Sequence, residues 1–119
     1  MPMWAWPRLA LAPRFAGAAG ARLRDLIGVD DRTYLSAFRR ANVSDLDREA
    51  FARGRGHVVV LGRAVARWAG AARLRYFEAE RVGTRVLLLI PHPSGRCRVY
   101  NDPEMRRRAG EAVRRLAGL

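Results

Sequence analysis

Two uninterrupted apolar runs dominate the hydrophobic pattern of the chain. Residues 57–61 read His-Val-Val-Val-Leu and residues 86–90 read Val-Leu-Leu-Leu-Ile, without alternation between apolar and polar positions. The first run passes through Gly62 into a helical pattern over 63–69, and the second ends at a Pro-His-Pro-Ser-Gly turn. Runs of this kind predict strands that are covered on both faces, which is typical of a parallel sheet.

Shorter patterns around these runs predict helices that alternate with short strands. Helices are indicated where apolar residues recur at a spacing of three or four behind an acidic or hydroxyl cap. The predicted elements are a strand over 9–13, a helix over 21–27 closed by Gly28, a helix over about 32–39 capped by Asp30 and Asp31, a short strand at 41–43, a helix over about 46–53 capped by Ser44 and Asp45, an extended segment at 75–79, and a turn at Gly83-Thr84. The last helix begins at Asp102-Pro103 and has one apolar stripe, formed by Met105, Ala109, Ala112, Val113 and Leu116.

This alternation of strands and helices predicts the fold class. We expect an α/β fold, built as a three-layer α/β/α sandwich with a short, mainly parallel central sheet. A chain of 119 residues has the length of one domain, so residues 1–119 are expected to share one core. Sites in such folds lie at the carboxyl ends of strands, where the pattern places His92 and Asn42.

The charge of the chain indicates which kind of partner it binds. There are 23 basic residues against 11 acids, for a net charge of +12, and every basic residue is an arginine. A GC-rich genome explains the exclusive use of arginine, but the excess charge still predicts salt-sensitive binding to a phosphate polymer, ahead of an anionic membrane. Without lysine, imine chemistry would be left to the N-terminal amine.

The single cysteine and the N-terminal segment restrict the cellular compartment and the kinds of metal or disulfide site that the chain can form. A single cysteine, Cys97, excludes an internal disulfide framework and four-cysteine zinc or iron-sulfur sites. The apolar segment 1–19 is interrupted by prolines and arginines, and no run approaches the length of a membrane span. We therefore expect a cytoplasmic protein, monomeric, with no metal, no cofactor and no membrane partner.

His92 and Asn42 are the first candidates for chemistry. Pro91 and Pro93 restrict the backbone around His92, so its imidazole is a well-aimed donor to a developing anion. The amide of Asn42 is suited to an edge that shows a donor beside an acceptor, as a nucleobase does. The alternatives are a solvated loop histidine and an asparagine that merely ends a strand.

The segment 95–101 is the candidate contact with nucleic acid. It interleaves Arg96 and Arg98 with Val99 and Tyr100. Arginines hold phosphates, and an apolar or aromatic side chain can enter a base stack. A solvated basic loop is the alternative interpretation.

Several of these segments, in this order, resemble the uracil-DNA glycosylase superfamily. The matching stretches are Phe-Ala-Gly-Ala-Ala-Gly-Ala-Arg-Leu at 15–23, Arg-Ala-Asn-Val at 40–43, Val-Val-Val-Leu-Gly-Arg-Ala-Val at 58–65 and Ile-Pro-His-Pro-Ser-Gly at 90–95. The resemblance covers about residue 11 to the C-terminus. It implies a DNA glycosylase that flips a uracil or modified base out of DNA and hydrolyses its glycosidic bond, in repair or in defence against phage.

The resemblance also implies roles for particular residues. His92 would donate to the carbonyl oxygen of the departing base, while Asn42, Phe15 and Ser94 would hold that base. The residues implied to contact DNA are Arg63, Arg96, Arg98 and Tyr100. The family's first motif carries a polar residue that positions water, but residues 9–13 here read Leu-Ala-Leu-Ala-Pro. Asp102 is the first candidate to replace that residue, ahead of Asp30 and Asp31.

Two other functions stay open at this point. The altered first motif is equally expected in a catalytically inactive relative that binds DNA or blocks an active glycosylase. A generic arginine-rich nucleic-acid-binding domain would bind any sequence equally, with a steep dependence on salt.

Overall fold

The two apolar runs form neighbouring strands in the middle of the sheet. The computed structural model describes residues 8–12, 18–93 and 98–119. Within these residues the sheet has five strands, namely β1 Arg8–Ala12, β2 Arg39–Asn42, β3 Gly56–Leu61, β4 Ala79–Val82 and β5 Arg85–Ile90. The chain is therefore an α/β domain in which the predicted buried strands β3 and β5 form the centre.

The sheet is mixed. Its strand order is β2-β1-β3-β5-β4, with parallel pairing between β2 and β1, β1 and β3, and β3 and β5. β4 is an edge strand that pairs antiparallel with β5 through the predicted turn at Gly83-Thr84. All four parallel strands present their carboxyl ends at one edge, which is called the carboxyl edge below.

Five helices and two short 3-10 helices connect the strands in the described residues. The helices are α1 Ala18–Ile27, α2 Asp31–Ala37, α3 Arg48–Arg53, α4 Arg63–Trp68 and α5 Pro103–Ala117, and the 3-10 helices are Val43–Asp45 and Arg98–Asn101. Asp30 caps α2 through Thr33 N–H at 2.8 Å, as its position predicts, and this bond lowers the pKa of the carboxyl. Gly28 follows α1 with φ +75°, as expected of a residue that ends a helix.

Besides the start of α1, which lies at Ala18 and not at the predicted residue 21, two predicted boundaries are wrong. The helix expected to reach residue 39 ends at Ala37, because Phe38 is extended and the backbone from Arg39 pairs with β1. Ser44 and Asp45 lie inside a 3-10 helix, and the cap of α3 is Asp47, whose carboxylate accepts from the Glu49 N–H at 3.4 Å. In both places sheet pairing and local packing outweigh the sequence-local preference.

The core lies on both faces of the sheet. Alternate residues of β3 and β5 divide between two clusters of buried side chains, as the pleat of a strand requires. One cluster joins Val59, Leu61, Leu88 and Ile90 to side chains of α1, α2 and α5. The other joins Val58, Val60, Leu87 and Leu89 to Phe51 of α3 and to Val65 and Ala66 of α4. This explains why residues 58–61 and 86–90 contain no polar positions.

Several arginines have structural roles inside the fold. Arg85 is 3% exposed, donates to the carbonyls of Phe51 and Arg55 at 2.9 and 3.1 Å, and covers the Phe51 ring. Arg114 donates to the carbonyl of Ile27 at the end of α1, at 2.6 Å. Part of the arginine excess therefore satisfies backbone carbonyls, which are common partners of cations at helix ends.

None of the helices within the described ranges is both long enough and apolar enough to cross a membrane.

Candidate active site

His92 lies at the carboxyl edge, in the turn that follows the central strand β5. The neighbouring strand β3 ends in register with it, because Leu61 pairs with Ile90. The N–H of Gly62 then donates to the Ile90 carbonyl at 2.9 Å, which brings Gly62 against the turn. A Cβ on Gly62 would lie 3.4 Å from the Cβ of His92. Two turns thus meet at this point, and one of them needs a glycine.

The imidazole of His92 is held in a partly buried environment. Pro91 and Pro93 on either side are buried, whereas His92 itself is half-buried. This burial lowers the pKa of His92 below its ordinary value, so that the ring is neutral at pH 7. It makes no hydrogen bond to any residue that the structure describes. A neutral imidazole carries one N–H donor and one acceptor, so it can stabilise an anion without being charged beforehand.

Tyr100 supports the His92 turn from the side of the core. Its hydroxyl donates to the Pro91 carbonyl at 2.6 Å, and its ring packs against the core cluster of α1, α2 and α5. Arg106 in turn donates to the Tyr100 carbonyl. Tyr100 is therefore a supporting residue of the His92 turn in this structure, and the exposed apolar side chain of the segment is Val99, which is 40% exposed. Arg98 is exposed beside it, and its contact with a phosphate stays a prediction.

Asn42 lies at the same edge but at a distance from His92. It is the last residue of β2, and its amide N–H donates to the Asp45 carboxylate at 3.4 Å. β1 and β3 lie between β2 and β5, so three strand spacings of about 4.8 Å, or about 14 Å in all, separate the two strand ends. The structure thus brings His92 and Asn42 to one edge, on either side of the ends of β1 and β3.

Asp102 serves as the cap of α5. It is exposed, and its carboxylate accepts from the Glu104 N–H at 2.8 Å. Its predicted role in helix capping is confirmed. Its role as the acid of the reaction stays a prediction.

Three predicted site residues lie outside the described part of the chain. They are Phe15, Ser94 and Arg96. Their proposed contacts with the base and with DNA stay predictions.

Arg63 is more firmly held than its predicted role at a DNA surface requires. Its guanidinium donates to the carbonyl of Ala72 at 3.1 Å and to that of Leu74, and it lies over the ring of Tyr76 at 4.7 Å. The contact with Tyr76 was not predicted from the sequence, where residues 75–79 indicated only an extended segment. Two adjacent aromatic residues at 76–77 between charged neighbours were the available signal.

Four arginines belong to or contact the elements next to the His92 turn. Arg63 directly follows Gly62, Arg98 lies in the same 3-10 helix as Tyr100, Arg106 donates to the Tyr100 carbonyl, and Arg108 lies over the Phe77 ring. Counting only described residues, none of these four forms an ion pair within 4 Å, although the charge of Arg108 helps to lower the pKa of Glu104. The elements next to His92 therefore carry several positive charges.

The described residues contain no group of three or more His, Cys, Asp or Glu side chains placed to hold a metal ion.

A scan against models of protein families finds no match to this chain, and a search of curated protein sequences finds none either.

Proposed function

We propose that the protein is a DNA glycosylase of the uracil-DNA glycosylase type, acting on a flipped uracil or modified base. The observation that carries the proposal is the position of His92, which is half-buried between two buried prolines at the carboxyl edge of a central strand. Burial lowers the pKa of the imidazole, which favours its neutral form. The arginines of the neighbouring elements supply the attraction for phosphates. The order of the sequence motifs supplies the reaction class.

In the proposed reaction the bond between the base nitrogen and C1′ of deoxyribose breaks, and its electron pair leaves with the base. Negative charge then develops on a carbonyl oxygen of the base, to which the His92 N–H donates. Water adds to C1′, its proton finally reaches the base, and an abasic sugar remains. The absence of lysine from the chain agrees with a reaction that stops there.

The other residues fit this proposal in supporting roles. Asn42 reads the edge of the base, and Val99 with Arg98 enters or flanks the gap that the base leaves. We further propose that the two core clusters belong to a three-layer α/β/α sandwich, and that the protein acts as a cytoplasmic monomer without metal or cofactor.

A catalytically inactive DNA-binding relative is the second candidate. The observation that favours it is the lack of any acid in the sequence from residue 8 to 17, together with the engagement of Asp102 as a helix cap. In that case the His92 surface would bind a base without releasing it.

Cleavage of oligonucleotides with different bases separates these functions. The protein is incubated with DNA containing uracil or a modified base, and hot alkali then converts abasic sites to strand breaks. We expect breaks with at least one base, and a loss of at least tenfold in rate for His92→Ala and His92→Gln. The matched control is His57→Gln, which changes the other histidine, an exposed residue at the start of β3.

Each outcome favours one function. Strand breaks that survive His92→Ala contradict the proposal. Base-specific binding without breaks supports the inactive relative. Equal affinity for every sequence, with a steep salt dependence, identifies a generic nucleic-acid-binding domain.

A further inference from the structure

We propose that Tyr76, stacked with Arg63, forms a second nucleobase site that takes an unpaired base next to the one held at His92. The inference deepens the proposed function and rests on its assumption that the carboxyl edge binds DNA. The proposal concerns the DNA strand in its bound form. The nucleotide next to the extruded base is unpaired, and its base stacks on Tyr76.

The backbone places Tyr76 at the end of the same strand that carries His92. Tyr76 forms an isolated parallel bridge with Leu89, and the N–H of Phe77 donates to the Leu89 carbonyl at 2.9 Å. Leu89 lies three residues before His92. The Tyr76 site and the His92 turn are therefore two neighbouring parts of one edge.

The chain reverses direction directly after Tyr76, at an unusual residue. Phe77 has φ +68°, the one positive φ of a non-glycine residue in the described chain. A bulky residue adopts this conformation only when its surroundings hold it there. The Phe77 ring packs against the core and lies under the guanidinium of Arg108 at 4.6 Å. The reversal thus partly buries Phe77 and leaves Tyr76 on the surface, 38% exposed, with the two ring centroids 6.1 Å apart.

Arg63 makes the exposed ring part of a rigid, charged surface. Because its guanidinium is held by the carbonyls of Ala72 and Leu74, it does not swing away from the Tyr76 ring. Glu78, two residues after Tyr76, lies 3.9 Å from Arg75, and Arg63 forms no ion pair with a described acid. A fixed aromatic ring beside a guanidinium suits a single-stranded nucleic acid, since a base stacks on the face of the ring that Arg63 leaves open and the phosphate is drawn to the cation.

An aromatic ring beside an arginine favours an unpaired base over two other ligands of a cationic surface, namely a base-paired duplex and a phosphate group alone. In a duplex the faces of the bases are covered by their neighbours, so an exposed aromatic ring gains little from it. Phosphates alone would be bound by the arginines without any aromatic residue. The Tyr76 ring therefore contributes only when a free base face is offered.

The test compares two short single strands of equal length. One is oligothymidylate, and the other is the same sugar-phosphate chain without bases, so that their phosphates are identical. Fluorescence anisotropy gives the affinity of the full-length protein for each. We expect the wild-type protein to prefer oligothymidylate, and Tyr76→Leu to lose about tenfold or more of its affinity for it, since stacking of one base has that weight.

Three controls make the result specific. Tyr76→Phe keeps the ring and should keep the preference. Trp68→Leu removes another aromatic residue with an arginine over its ring, Arg48 at 6.0 Å, on the face of α3 and α4, and should leave binding unchanged. Because Trp68 also packs on Phe51, urea unfolding checks that this variant is folded. The salt dependence of binding should be the same in Tyr76→Leu and wild type, because no phosphate contact is lost.

The outcomes separate this inference from the glycosylase proposal. If wild type binds both strands equally, or if Tyr76→Leu keeps the preference for bases, the stacking site is wrong, whatever the cleavage assay shows. If the preference depends on Tyr76 while no base is ever excised, the stacking site stands and the glycosylase proposal fails.

Discussion

Gly62 and His92 face each other across the ends of two neighbouring parallel strands. The Gly62 N–H donates to the carbonyl of Ile90, two residues before His92, and a methyl group on Gly62 would lie 3.4 Å from the His92 Cβ. Gly62 also has φ +97° and ψ 155°, a conformation that is essentially restricted to glycine. The position of the candidate catalytic histidine therefore depends on a residue of another strand.

The first prediction concerns Gly62→Ala. We expect this change to lower the free energy of unfolding by about 1–3 kcal/mol, because the backbone is strained and the new methyl group meets His92. Urea unfolding measures the loss. Base excision should fall as well, because relief of the backbone strain shifts the Gly62 turn against the adjoining His92 turn.

Gly83→Ala is the control for backbone strain alone. Gly83 also has a positive φ, of +61°, but no atom lies within 4 Å of the position that a methyl group would take there. This variant should be destabilised without losing excision. Equal excision by both variants would contradict the contact between Gly62 and His92.

The second prediction is a pH dependence that originates at His92. Burial lowers the pKa of His92 in the folded protein below its ordinary value of 6.5. Between the two values the unfolded chain binds a proton that the folded chain does not, so stability rises with pH through this window and is lost as the pH falls. Above the ordinary pKa the contribution is pH-independent.

NMR titration of the imidazole protons measures this pKa directly. His57→Gln leaves a single histidine and so assigns the signal. We expect a midpoint below 6.5, and His92→Gln should remove the corresponding slope from a plot of stability against pH. A midpoint above the ordinary value would show that His92 gains a partner when it is protonated.

The third prediction separates support of the His92 turn from insertion into DNA. Tyr100→Phe removes the bond from the hydroxyl to the Pro91 carbonyl at 2.6 Å and should cost about 0.5–1.5 kcal/mol of stability. If Tyr100 supports the turn, excision should fall while the affinity for DNA stays the same.

Two variants complete this comparison. Tyr76→Phe removes a hydroxyl that donates to no described residue, so it should not change stability. Val99→Ala shortens the exposed apolar side chain and should weaken binding to DNA with a gap or a flipped base. A loss of affinity with Tyr100→Phe but not with Val99→Ala would contradict this assignment.

The fourth prediction tests Asp102. Asp102→Ala removes the cap from Glu104 N–H and should cost about 1 kcal/mol, whereas Asp102→Asn preserves an acceptor and should preserve stability. Because the carboxylate is engaged with the backbone, we expect excision to be unchanged in Asp102→Asn.

Asp30→Ala serves as a second capping variant, since Asp30 holds α2 in the same way. It should lose stability without affecting excision. If Asp102→Asn loses activity at unchanged stability, Asp102 is the acid that replaces the altered first motif.

The extent to which sequence determines this protein can be seen in the two central strands. Their apolar runs specify burial on both faces and so a central place in a parallel sheet, which made the location of His92 at the carboxyl edge predictable. The register of β3 against β5 does not follow from runs that are apolar at every position. The caps at Asp30 and Asp102 and the apolar stripe of α5 were also predictable, because each depends on residues within one or two turns of a helix.

Only the tertiary structure decided the contacts between segments that lie far apart in the chain. Arg39 is in a strand because β1 pairs with it, the segment after Tyr76 turns back because the core takes the Phe77 ring, and Tyr100 lies under Pro91 rather than in solvent. The arginines differ in the same way: some bind carbonyls inside the fold and others lie over aromatic rings of neighbouring segments. A one-dimensional pattern records the charge of each residue, but the partner of that charge depends on which surfaces meet when the sheet and its helices assemble.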